Sequence, residues 1–136
     1  MSQENVDMSG PLLYIDTSDV REGALEELKG SIKDLVEFID ANEPQLLTYN
    51  VYLSDDGKEM TIAHVHADSS SLERHLEVGA PAFRKLADLI TLSSIHVYGD
   101  PSDKALRQLQ VKARLLGSGD VFVHSLHAGF SRFEAR

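Results

Sequence analysis

At 136 residues and 15.0 kDa the chain has the size of one domain able to bury a core of its own. Its formal charge of -9 and pI of about 5.0 argue against nucleic acid or an anionic membrane as a partner, because phosphates reward clustered Lys and Arg. Cys is absent, which excludes disulfides, thiolate nucleophiles, iron–sulfur clusters and thiolate zinc sites and leaves His, Asp and Glu to ligate any metal.

The opening MSQENVDMSG is polar, without a basic start or apolar core, so residues 1–10 read as a frayed tail rather than a signal peptide or anchor. No apolar run approaches the length of a membrane span, and a cytoplasmic location is the expectation. Residues 11–136 read as a single domain. Leu12 to Asp16, short and apolar behind Pro11, suits a first strand. Asp19 and Glu22 have the spacing of a capping box, and Leu25, Leu28, Ile32, Leu35, Val36 and Ile39 then recur at helical intervals until Asn42-Glu43-Pro44. Leu46 to Ser54 alternates Leu47, Tyr49, Val51 and Leu53 with Thr48, Asn50 and Tyr52. Asp56-Gly57 then turns the chain into Met60 to Asp68, which predicts a β-hairpin.

A second capping-box pattern, Ser70 and Glu73, opens a helix carrying Leu72, Leu76, Phe83, Leu86 and Ile90, with a break expected at Gly79-Ala80-Pro81. Ser93 to Tyr98 reads as a fourth strand. From about residue 100 to 136 the pattern predicts an appended helix, with a stripe of Leu106, Leu109, Ala113 and Leu116 and Gly117 as its C-cap, and a last strand from Asp120 to Phe130. Arg107, Lys112 and Arg114 lie among acids on that helix and read as a solvated face. The order β-α-β-β-α-β defines an α+β, ferredoxin-like class. The second hairpin strand is apolar or small on both sides, while helices can cover only one face of the sheet. A homodimer is therefore expected, the second copy covering the other face.

Over Leu12 to Gly99, and above all in MTIAHVHADSSSLERHL, the chain resembles the antibiotic-biosynthesis-monooxygenase-like proteins of the dimeric α+β-barrel superfamily. Asp68 matches that family's acidic position at the strand end, Leu72 the apolar position, and His75-Leu76 its His-Leu pair; His64 and His66 stand where Glu and Trp are common. The resemblance implies a dimeric barrel and a cofactor-independent oxygenase acting on small aromatic or quinol-type molecules.

His64 and His66, two apart on a strand, share a face at a separation of roughly 7 Å. Such a pair can chelate a divalent metal if His75, Asp68, Asp16 or His96 supplies a third ligand, although no cofactor is expected. Lining a polar pocket or dimer seam is the plainer role. His75, at the edge of an apolar stripe, is the candidate acid or base and joins His64 and His66 as the catalytic set. Tyr14, Asn50 and His96 are the candidate ligand contacts, while His124 and His127, three apart, face opposite sides of an ideal strand. Dinucleotide, nucleotide-triphosphate, serine-hydrolase and zinc-protease motifs are absent. The competing readings are a non-catalytic ligand-binding or stress-related dimer and a His-ligated metal or haem protein.

Overall fold

A computed structural model describes residues 10–133. The tail expected over residues 1–10 lies outside them, apart from Gly10. Nine elements follow in order: β1 (Leu12–Val20), α1 (Leu25–Asn42), β2 (Leu46–Leu53), β3 (Glu59–His66), α2 (Ser69–Val78), α3 (Ala80–Arg84), β4 (Ile90–Tyr98), α4 (Asp103–Leu116) and β5 (Gly117–His124). The five strands form one sheet in the order β2-β3-β1-β4-β5. The first four pair antiparallel in the ferredoxin-like arrangement, and β5 joins β4 in parallel after the α4 crossover. Among the described residues no helix is long and apolar enough to cross a membrane.

The hairpin forms where Asp56-Gly57 predicts it. Gly57 takes a φ of 71°, which a side chain would resist, and Asp56 Oδ1 accepts the Lys58 N–H at 3.0 Å. The two capping boxes do not form. β1 runs on to Val20 because Asp19 finds ladder partners in both Glu59 and Thr91, so α1 starts only after Ala24, without a side-chain cap. At α2 the cap is Asp68, whose Oδ1 accepts the Ser71 N–H at 2.9 Å; Glu73 instead receives the Ser102 hydroxyl. The break at Gly79 is as expected, separating α2 from the single turn of α3, with Pro81 in its first turn. Gly117 is the C-cap of α4, as expected, its N–H donating to the Ala113 carbonyl, although its φ of 172° is extended and not left-handed; it also opens β5, which ends at His124, short of the expected Phe130.

All four helices lie on one face of the sheet. Leu72 and Leu76 of α2 and Leu109 and Ala113 of α4 pack on Leu12, Tyr14, Ile95 and Val97. A second cluster seats Leu28, Leu35 and Ile39 of α1 with Phe83 and Leu86 on Met60, Ile62 and Ile90. Strand alternation sends Leu13, Ala63, Val65, Tyr98 and Phe122 to the other face, which no helix covers, and leaves Tyr52 there 55% exposed.

Candidate active site

The site grows from strand parity. Tyr14 and Asp16 on β1, and His64 and His66 on β3, point to the helix-covered face, with Tyr14 registered opposite His64. Their rings stack: Tyr14 and His64 have centroids 4.1 Å apart at 15°, and His64 and His66 are 5.9 Å apart. All four side chains are buried. The helices then close over them. His75 of α2 brings its ring within 4.8 Å of His64 and 5.4 Å of His66, and Tyr49 of β2 meets His64 edge-on at 4.8 Å.

Two charged groups that sequence reasoning did not single out organise this layer. Lys112 reads from the sequence as part of a solvated face, yet its side chain is only 11% exposed. Its Nζ donates to the Tyr14 hydroxyl at 2.6 Å and to Asp16 Oδ2 at 3.1 Å, and it lies 4.0 Å over the Phe83 ring. The signal available was its position one helical step from the buried Leu109 and Ala113. Glu43, which reads as a helix terminator, is buried; both its carboxylate oxygens lie 2.9 Å from His75 Nδ1. Nothing in the sequence marks it. The contact depends on Gly79, where a Cβ would stand 3.0 Å from His75 Cε1 and 3.1 Å from Glu43 Oε2.

Electrostatics separates the members into charged and neutral groups. Burial alone pushes the Asp16 carboxyl up, but the Lys112 ammonium and the His64 ring outweigh it and hold the group at about 2. Burial pushes His64 down to about 3 against the attraction of Asp16, and holds His66 at about 2 with help from the two neighbouring imidazoles. Burial, and then the Asp16 charge, raise Tyr14 and Tyr49 well above the ordinary phenol value. At neutral pH Asp16 and Lys112 thus form a carboxylate–ammonium pair beside the neutral imidazoles of His64 and His66 and the neutral phenols of Tyr14 and Tyr49. His64 Nε2 is 3.4 Å from Asp16 Oδ2 but outside hydrogen-bonding geometry, so among the described residues both nitrogens of that ring lack a hydrogen-bond partner, as does Asp16 Oδ1. His66 places Nδ1 2.8 Å from the Ser71 hydroxyl.

A pocket of about 740 Å³ opens between α2–α3 and α4, and Tyr49, His75 and Lys112 form its inner wall. Because His75 gives Nδ1–H to Glu43, Nε2 is the nitrogen left to a ligand there. Of the residues expected to carry chemistry, His75 lines this pocket. His64, His66 and Tyr14 lie one layer behind it. Asn50 and His96 do not join them: paired with Ala63 and Ile15, they sit on the uncovered face, where His96 Nδ1 meets His124 Nε2 at 2.9 Å. That also corrects the choice of His96 as a third metal ligand, and Asp68 is occupied in capping α2. Among the described residues no group of three His, Asp or Glu side chains is placed to hold a metal ion.

No protein-family model matches the chain, and no curated protein does. Solved structures do. The MupZ structure from Pseudomonas fluorescens superposes with a TM-score of 0.71 at 20% identity, covering 91% of this chain and 96% of its own. A Caulobacter crescentus CB15 protein proposed to be an antibiotic biosynthesis monooxygenase gives 0.60 at 17% identity, over 70% of this chain and 93% of its own. SnoaB, a cofactor-independent oxygenase from Streptomyces nogalater, gives 0.57 at 16% identity, over 69% and 96%. The chain therefore has the ferredoxin-like α+β fold of the antibiotic-biosynthesis-monooxygenase structures, at identities that establish a shared fold and leave the chemistry to its own residues.

Proposed function

We propose that this chain is a proton-transferring enzyme for a small phenolic or enolisable aromatic molecule, with the deprotonated substrate then oxidised by O2. The observation that carries the reading is His75 on the wall of a largely apolar pocket that also presents the Lys112 ammonium, with the buried Glu43 carboxylate behind the His75 ring. Glu43 orients the imidazole and stabilises the imidazolium that forms, so His75 Nε2 is the base. Lys112, fixed by Tyr14 and Asp16, is a preorganised cation for the oxyanion that proton removal creates. His64 and His66, buried and neutral, position Tyr14 by stacking and do not reach the ligand.

The carbanion of a hydroxyanthrone, like the phenolate of a quinol, is itself a reductant, so this step requires no cofactor. A methylene loses a proton to His75, the carbanion gives one electron to O2, and the carbon radical and superoxide so formed combine in a C–O bond to give a carbon-bound peroxide. The peroxide takes the proton back, and loss of water leaves a carbonyl: CH2 plus O2 gives C=O plus H2O. That SnoaB, which shares the fold, is a cofactor-independent oxygenase supports an oxygen reaction without a cofactor. The active assembly in this reading is a homodimer packed through the uncovered sheet face.

Dithranol, a hydroxyanthrone, is a suitable probe. In anaerobic deuterium oxide the enzyme is expected to speed exchange at its methylene; in air it consumes O2 and forms the quinone. His75→Gln should lower both rates by about 10²-fold or more, the usual contribution of a general base. Wild-type protein that accelerates neither reaction refutes the proposal.

One observation favours a second reading. Asp16, Lys112 and Tyr14 are satisfied mainly by one another, an arrangement that also suits a pocket that binds a ligand without altering it. In that case the probe binds, with neither exchange nor O2 uptake.

A further inference from the structure

The charge on the pocket is opposite to the charge on the protein. The chain carries 22 acidic and 13 basic residues, yet four of the basic ones, Arg84, Lys104, Arg107 and Lys112, line this one pocket, and none of the described Asp or Glu residues does. Two of the four are engaged. Lys112 is held by Asp16, and Lys104 pairs with Glu77 at 3.0 Å. Arg84 and Arg107 are exposed and, among the described residues, make no ion pair and no side-chain hydrogen bond to protein. Two guanidiniums therefore line the pocket with no acidic partner among the described residues.

The rest of the wall is apolar in an ordered way. Lys104, Arg107, Val111 and Leu115 fall at spacings of three and four along α4, so they form one stripe, cationic for its first turn and apolar for the next two. Val111 and Leu115 are 47% and 65% exposed and, one turn apart, give the groove a continuous apolar wall. A groove with this gradient suits a molecule with one apolar end and one anionic end. The guanidinium fork matches a carboxylate, and a cationic rim around a low-dielectric channel draws anions in.

We infer that the ligand of this pocket is an amphipathic anion: an apolar, aromatic-sized body bearing a carboxylate or an equivalent anion, its charge held by Arg84 and Arg107 and its body against Val111 and Leu115. The inference deepens the proposed function, resting on the pocket being the ligand site, and adds an anionic group to the substrate class.

Two fluorescent probes with one aromatic frame test it: 8-anilinonaphthalene-1-sulfonate, an anion, and uncharged N-phenyl-1-naphthylamine. The anion is expected to bind more tightly. Arg84→Gln combined with Arg107→Gln should weaken it by about tenfold, as loss of two exposed charge contacts would, and change the neutral probe by less than about twofold. Raising salt from about 0.05 to about 0.5 M should weaken only the anion. Val111→Trp, which fills the apolar channel, should weaken both probes. Equal affinities, an equal loss of both probes in the double Gln variant, or anion binding that survives Val111→Trp would overturn the inference. So would exclusion of both probes because a second copy or an acidic protein occupies the groove. Binding is read without turnover, so failure of the proton-transfer reading leaves this result standing, and the reverse holds.

Discussion

Acidification is the sharpest physical test of the buried layer. His64 and His66 titrate near 6.5 in the unfolded chain but are held at about 3 and about 2 when folded. Below 6.5 the unfolded state therefore binds protons that the folded state refuses, and stability falls as pH falls. Each refused proton costs about 1.4 kcal/mol per pH unit, so the two together cost roughly 3 kcal/mol per unit well inside this window. From pH 6.5 to 4.5 the loss is on the order of 5 kcal/mol, a large part of the ~5–15 kcal/mol that stabilises a domain. Asp16 adds a further loss only lower down, between its ordinary value of 3.8 and its folded value of about 2. Urea unfolding followed by circular dichroism at steps between pH 7.5 and pH 4.5 measures the slope. His66→Gln removes one of the two groups and should bring the slope to about half. A stability that is flat between pH 6.5 and 4.5, or a slope unchanged in His66→Gln, would refute the claim that these rings are buried and neutral.

Other perturbations follow from the same contacts. Lys112→Met leaves the buried Asp16 carboxylate without its cation and should cost about 3–5 kcal/mol in urea unfolding, with much of that recovered in Lys112→Met combined with Asp16→Asn. Gly79→Ala places a methyl group 2.9 Å from the His75 carbonyl oxygen and crowds Glu43. It should cost about 1–3 kcal/mol by the same measurement and lower any His75-dependent rate. Phe122→Asp combined with Tyr52→Asp puts charge on the uncovered sheet face; sedimentation velocity should show a wild-type dimer and a monomeric variant, and a monomeric wild type at micromolar concentration would refute assembly through this face.

Much of the fold was legible because it is local. The Asp56-Gly57 turn, the apolar spacing of α1 and α4, and the break at Gly79 each need only their own neighbours, and the element order leads directly to the ferredoxin-like sheet. The same-face relation of His64 and His66 was legible for a similar reason, since a strand repeats every two residues. Local rules failed where tertiary pairing competed with them. Asp19 was available to cap a helix, but two neighbouring strands offered it a ladder.

The site divides along the same line. Period-two alternation says that Tyr14 and Asn50 each lie on one face of the sheet, but not that the helices cover the face of Tyr14 and leave that of Asn50 open. Glu43 and Lys112 are separated from their partners by 32 and 96 residues, a distance over which sequence spacing carries no geometric information. The elements, their order and the shared face of the two strand histidines can be read without the tertiary structure, because they follow from short-range periodicity. Only tertiary packing decided which face became the pocket and which charges were drawn into it, because that depends on where helices distant in the chain come to rest.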